Sequence, residues 1–163
     1  MKQTKRLFYF IFLMMIVSGT SVMETFTQDY PEEKLAIQKL YYDMSKALMD
    51  KDWERYQSYF VQDTTLNVVH PGEMDWATGW HAVKRRYKPL FGPEVNLQAD
   101  IKTDTFKTYI APGGEFAWAL IDVKVIRQEN TWHSWQVYVF RKIDGKWKLN
   151  MGFDADLPSS NDK

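Results

Sequence analysis

The 163-residue chain contains no cysteine. That excludes disulfides, a thiolate nucleophile and every cysteine-based metal site, so the fold must be held by its core alone. Long apolar runs are also missing. The longest, Leu7 to Val17, has eleven residues, short of the ~20 that a membrane-spanning helix needs. Neither sign of charge dominates, with 21 basic and 21 acidic side chains, so no electrostatic footprint for nucleic acid is present. Histidine is scarce: His70, His81 and His133 have no paired metal spacing, and no metal site is expected. A Gly-rich phosphate loop and a G-x-S-x-G element are both absent, so no cofactor is expected. No period of ~20–50 residues marks a repeat array.

What the chain has in excess is aromatic surface: seven Trp, nine Tyr and ten Phe. This exceeds what one core of this size requires, and points to an aromatic-lined pocket or a subunit interface. The length suits one domain.

The first 21 residues read as a secretory signal peptide. Lys2, Lys5 and Arg6 precede the eleven-residue apolar run, and Ser18-Gly19-Thr20-Ser21 supplies small residues for cleavage. An uncleaved membrane anchor is the competing reading. No Cys follows the run, which excludes a lipoprotein anchor. Cleavage after Ser21 leaves 18 basic against 21 acidic side chains, a formal charge of −3. The expected product is exported, periplasmic or secreted, with no membrane attachment after cleavage.

Residues 22–30 form a lead-in to a domain spanning 31–156, and a frayed polar tail follows at 157–163. The first helix is predicted at about 31–50. Pro31 suits its first turn, Glu32 and Glu33 its positive end. Ile37, Leu40, Tyr41, Met44, Ala47 and Leu48 make its apolar stripe. Asp52 can cap a second short helix. Leu66 to Val69 read as a strand, 70–79 as a loop, and Gly79 to about residue 88 as a third helix. The Lys84-Arg85-Arg86 run on that helix is read as a solvated face, with an anion site as the alternative. From Val95 the period becomes two, giving strands to Tyr109, over 116–127, 131–142 and 146–154. Asp144-Gly145 is a two-residue hairpin signal. Helices first and a meander last give an α+β fold, with three N-terminal helices packed on one face of a bent antiparallel sheet.

Both faces of the strand 116–126 are apolar. Phe116, Trp118 and Leu120 precede Asp122 on one, and Ala117, Ala119, Ile121, Val123 and Val125 share the other. Helices can cover one face, and a second copy of the chain is the simplest cover for the other. A homodimer is therefore expected, built on Ile121, Val123, Val125, Val137 and Val139. Burial within the monomer is the competing explanation. In the last strand Asn150 and Asp154 alternate against Trp147, Leu149, Met151 and Phe153. That polar stripe faces either a wet pocket or bulk water.

Several motifs in this order resemble one family. They are Met49-Asp50-Lys51-Asp52-Trp53, Tyr59-Phe60-Val61-Gln62-Asp63-Thr64 and His70-Pro71-Gly72. Gly79-Trp80-His81-Ala82-Val83 and Phe140-Arg141-Lys142, before Asp144-Gly145-Lys146-Trp147, complete the set. Over residues 32–154 the chain is similar to SnoaL-like members of the nuclear transport factor 2-like superfamily. The resemblance implies a cystatin-like cone, with a bent sheet round three helices, a pocket at the open end and pairing through the sheet. Ketosteroid isomerases, polyketide cyclases and dehydratases share that fold, so it does not fix chemistry. Matched by position, His70 stands where the isomerases have an Asp before Pro. Their oxyanion-hole Tyr and Asp fall near Met44 and Tyr138, so that hole is not reproduced. The same matching turns Trp118, Leu120, Asp122, Tyr138, Asn150 and Asp154 into the cone.

The resulting site has His70 as a candidate base and Asp154 as the carboxylate that orients it. A loop-capping His and a surface Asp are the plain alternatives. Trp76, Trp80, Trp118, Asp122, Gln136, Tyr138 and Asn150 are candidate ligand contacts, although core packing accounts equally well for any one of the tryptophans. The expected function is binding of a small apolar or cyclic ligand. Acid–base isomerase, dehydratase or cyclase chemistry through His70, and a non-catalytic dimeric adaptor, are the alternatives.

Overall fold

The computed structural model describes residues 30–69, 76–127 and 130–156. The expected signal peptide, most of the lead-in, His70 with the loop around it, and the tail from residue 157 lie outside the described residues.

Helix α1 (Pro31–Met49) buries Ile37, Leu40, Tyr41, Met44 and Ala47, the stripe its periodicity predicts. Its outer face carries the i,i+4 pairs Lys39–Asp43 and Lys46–Asp50, which add a few tenths of a kcal/mol each. Lys51, with φ 57°, turns the chain out of the helix. The Asp52 carboxylate then accepts from the Arg55 N–H at 2.9 Å and caps α2 (Trp53–Gln57).

Strand β1 (Asn67–Val69) pairs antiparallel with β2 (Trp76–Thr78). Residues 76–78, expected as loop, are strand; three residues are too short for alternation to show. Gly79 takes φ 77°, a conformation glycine adopts without strain. This lets its N–H reach the Leu66 carbonyl at 2.7 Å and starts α3 (Trp80–Tyr87), which buries Val83 and Tyr87. A 3-10 turn, Lys88–Phe91, carries the chain through Pro89.

Four long strands follow: β3 (Asp100–Ile110), β4 (Phe116–Arg127), β5 (Asn130–Ile143) and β6 (Lys146–Asp156). Asp144 and Gly145 both have positive φ, as a two-residue hairpin turn demands. Residues 95–99, predicted as strand, are irregular. The sheet order is β2-β1-β6-β5-β4-β3. All neighbours are antiparallel except β1 and β6, which run parallel. Bulges interrupt β3 at Asp104 and β6 at Asn150, and bulges bend and twist a strand.

Ala117, Ala119, Ile121 and Val123 of β4 are 0–1% exposed and pack with Phe140, Leu149 and the α1 stripe. The small side chains let α1 approach the sheet closely. α1 is also tied to the β5–β6 hairpin: Trp147 Nε1 donates to Glu33 at 2.6 Å, and Lys142 Nζ donates to its other oxygen. These bonds, Lys142 first, hold the Glu33 carboxyl below its ordinary pKa.

Among the described residues nothing covers the opposite face of β4. Trp118, Trp135, Val137 and Phe153 are 37–41% exposed there. This corrects the expected pairing surface. Ile121 and Val123 belong to the core, and the exposed apolar face is formed by Trp118, Leu120, Trp135, Val137 and Phe153.

Candidate functional site

A cavity of about 310 Å³ lies between α1 and the concave face of the sheet. Buried Tyr41, Met44, Tyr56, Tyr87 and Val123 make its inner wall. Half-buried Leu48, Met49, Leu90, Leu97, Ala99 and Ile101 ring its outer part. Its polar atoms are few, from Ser45, Gln136, Asp154 and the phenols.

Register explains who points inward. Ile121 pairs with Gln136 and Ala119 with Tyr138; Gln136 pairs with Asp154 and Tyr138 with Gly152. Gln136, Tyr138, Gly152 and Asp154 therefore share the face that buries Ile121. Tyr41 donates its hydroxyl proton to Gln136 Oε1 at 2.9 Å, and its ring lies 5.9 Å from that of Tyr138. Gly152 makes room for the Tyr138 ring: a Cβ there would sit 3.4 Å from Tyr138 Cε1.

Burial raises the pKa of Tyr41, Tyr56, Tyr87 and Tyr138 above the ordinary phenol value, and the nearby charge of Asp154 raises each further. At neutral pH all four are neutral hydrogen-bonding groups disposed around one carboxylate. Thr103 and Ser134 share the inward face in the row of Val123. Their hydroxyl oxygens are buried with no hydrogen-bond partner among the described residues.

The expected site residues divide. Asp154, Gln136 and Tyr138 come together in the cavity. Trp118 is on the convex face, 41% exposed and stacked on Tyr109 at 5.5 Å. Asp122 shares that face, paired in register with Trp135. Both are expected inward from the family resemblance, but the face bearing Ala117 and Ala119 is the one that admits α1. Trp76 is 55% exposed on β2. Trp80 stacks on Trp53 at 6.1 Å, in a second aromatic group with Phe60 and Phe91. None of these tryptophans lines the cavity.

Asn150 is the extra residue of the β6 bulge, not a pocket group. Its Oδ1 lies 3.1 Å from the Thr65 hydroxyl, beside the ion pair of Arg141 with Asp63 at 2.6 Å. The Thr65 hydroxyl, then Arg141, lower the Asp63 pKa to about 2. His70 lies outside the described residues.

Sequence reasoning missed Tyr41, Tyr56 and Tyr87 as site residues. A signal existed for Tyr41: a phenol inside an apolar helical stripe must find a hydrogen-bond partner when buried.

Comparisons with known proteins agree on the fold. The family model described as SnoaL-like domain matches residues 37–151. No curated protein sequence matches the chain. Among solved structures, a nuclear transport factor 2-like protein of unknown function from Pseudomonas putida has a TM-score of 0.67 at 12% identity, covering 78% of this chain and 89% of its own. A proposed dehydratase of the same family from Streptomyces avermitilis has a TM-score of 0.66 at 14% identity, covering 79% and 99%. The association domain of C. elegans CaMKII has a TM-score of 0.64 at 17% identity, covering 76% and 95%. Identities this low speak for the fold alone. With residues 37–151 matched by the family model, the chain belongs to the SnoaL-like domain family.

Proposed function

We propose that the protein binds a compact, mostly apolar small molecule carrying one or two oxygen functions, and does so after export. The observation that carries this is the Asp154 carboxylate set in an apolar cavity among Tyr41, Tyr56, Tyr87 and Tyr138. Apolar walls supply affinity, while neutral phenols and a carboxylate supply direction, the usual division of labour in small-molecule sites. The phenols can donate to a carbonyl or hydroxyl oxygen, and Asp154 can accept from a ligand hydroxyl. Export rests on the signal-peptide-like leader.

The test uses a panel of small cyclic ketones and phenols, followed by ligand-observed NMR. Wild type is expected to bind part of the panel. Ala99→Trp, which places bulk in the outer part of the cavity, is expected to lose that binding with an unchanged circular dichroism spectrum. Equal binding by both proteins, or none by wild type, refutes the reading.

Acid–base catalysis is the second reading, favoured by the same carboxylate next to phenols that can stabilise a developing oxyanion. Here Asp154 would take the proton, alone or with His70. Asp154→Asn should then keep ligand binding and lose turnover.

We also infer a homodimer through the convex face. Trp118, Leu120, Trp135, Val137 and Phe153 form a patch that one copy can present to the same patch of another about a two-fold axis. Exposed aromatic and aliphatic side chains in one contiguous patch mark such surfaces.

A further inference from the structure

The convex face carries a second constellation where the apolar patch ends. The β3 bulge makes Asp104 an extra residue between Thr103, which pairs with Val123, and Thr105, which pairs with Asp122. On the other side of β4, Asp122 pairs with Trp135 and Lys124 with His133. His133 is thus a diagonal neighbour of Asp122. One carboxylate oxygen of Asp104, one of Asp122 and a ring nitrogen of His133 lie within 4.8 Å of one another.

These groups are not explained by the fold. Asp122 Oδ1 is buried with no hydrogen-bond partner among the described residues, a costly state for a carboxylate oxygen. The adjacent bases leave it so: Lys102 pairs with Asp100 at 3.5 Å, and no ion pair joins Lys124 to the three among the described residues. Donor atoms on one metal at ~2.0–2.2 Å lie about 3–4.4 Å apart. The trio, within 4.8 Å of one another, lies close to that spacing. Two carboxylates balance the charge of a divalent ion, and an imidazole nitrogen favours a transition metal over magnesium or calcium.

We propose that Asp104, Asp122 and His133 bind a divalent first-row metal of the zinc class on the convex face, on the other side of the sheet from the cavity. The sequence expectation of no metal site rested on histidine spacing. These ligands come one from each of three strands, and only register and a bulge unite them.

The test is calorimetric titration of ZnCl2 into the untagged protein. One equivalent is expected to bind. His133→Ala and Asp104→Asn, both on exposed positions, should each weaken binding by about ten-fold or more with unchanged circular dichroism. MgCl2 should not compete, and Asp154→Asn in the cavity should bind zinc as wild type does. No zinc binding by wild type, affinity unchanged in both surface variants, or affinity lost in Asp154→Asn overturns the site.

Discussion

Ile121 and Val137 sit on neighbouring strands, one residue out of register, and point in opposite directions. Ile121 is 0% exposed among the helices, and Val137 is 37% exposed on the convex face. Glutamate at the two positions should therefore give opposite outcomes. At Ile121 the substitution forfeits about 1.5–3 kcal/mol of apolar burial and adds a carboxyl with no partner. The combined loss should exceed about 4 kcal/mol, a large fraction of the 5–15 kcal/mol typical of a domain. Val137→Glu removes no core contact and should change monomer stability by no more than about 0.5–1 kcal/mol. Across the proposed two-fold interface it places like charges on both copies and should raise the dimer dissociation constant at least about ten-fold. Urea denaturation reads the first quantity, and concentration-dependent light scattering the second. A stable, folded Ile121→Glu protein would refute the assignment of faces. So would an unfolded Val137→Glu protein, and dimerisation equal to wild type would remove the convex face as the interface.

Other outcomes follow from the cavity and its surroundings. Tyr41→Phe removes the hydroxyl bonded to Gln136 and should cost about 1 kcal/mol in urea denaturation. In a spectrophotometric alkaline titration, Tyr41, Tyr56, Tyr87 and Tyr138 should stay protonated after the exposed tyrosines have ionised. Above pH ~10 the unfolded chain releases those protons and the folded chain retains them, so stability should fall as pH rises. Asp63 acts at the other end of the scale. Its depressed pKa contributes stability present above pH ~4 and lost as pH falls toward 2, worth under ~1 kcal/mol because the pair is half exposed. Arg141→Gln should raise the Asp63 pKa in a carboxyl-observed NMR titration. Gly152→Val pushes against the Tyr138 ring and should weaken ligand binding more than it weakens folding, measured by ligand-observed NMR beside a thermal melt.

The fold was legible where one residue pattern had one solution. The α1 stripe admits only one buried face, Asp52 offers the cap that α2 uses, and Asp144-Gly145 suits a tight hairpin. The site was less legible because β4 is apolar on both faces. Alternation separates Trp118 from Ala119 without saying which looks inward; that depends on how closely α1 approaches, a tertiary fact. In β6 the obstacle was parity. Plain alternation groups Trp147, Leu149, Met151 and Phe153, whereas the bulge places Trp147 and Leu149 on the same face as Gly152 and Asp154. Asp154 and Tyr138 lie in the cavity all the same, and Asn150, expected beside them, lies outside it because of the bulge. Leu97 and Ala99 line the cavity from an irregular segment, which no periodicity describes.

The β6 bulge is also the strand's slack. A single-residue deletion elsewhere in a regular strand inverts every side chain beyond it, here exchanging Asp154 for Phe153 in the cavity. With one unpaired residue at Asn150, β6 can lose a residue near that point by straightening. The two flanks then keep their faces, Phe140 stays opposite Leu149 and Val139 opposite Met151, and the loss falls on the local bend and the link to Thr65. Length in this strand is therefore a variable that related chains can change once without rebuilding the pocket, and the shape of the sheet, rather than the identity of the groups inside it, is what such a change would tune.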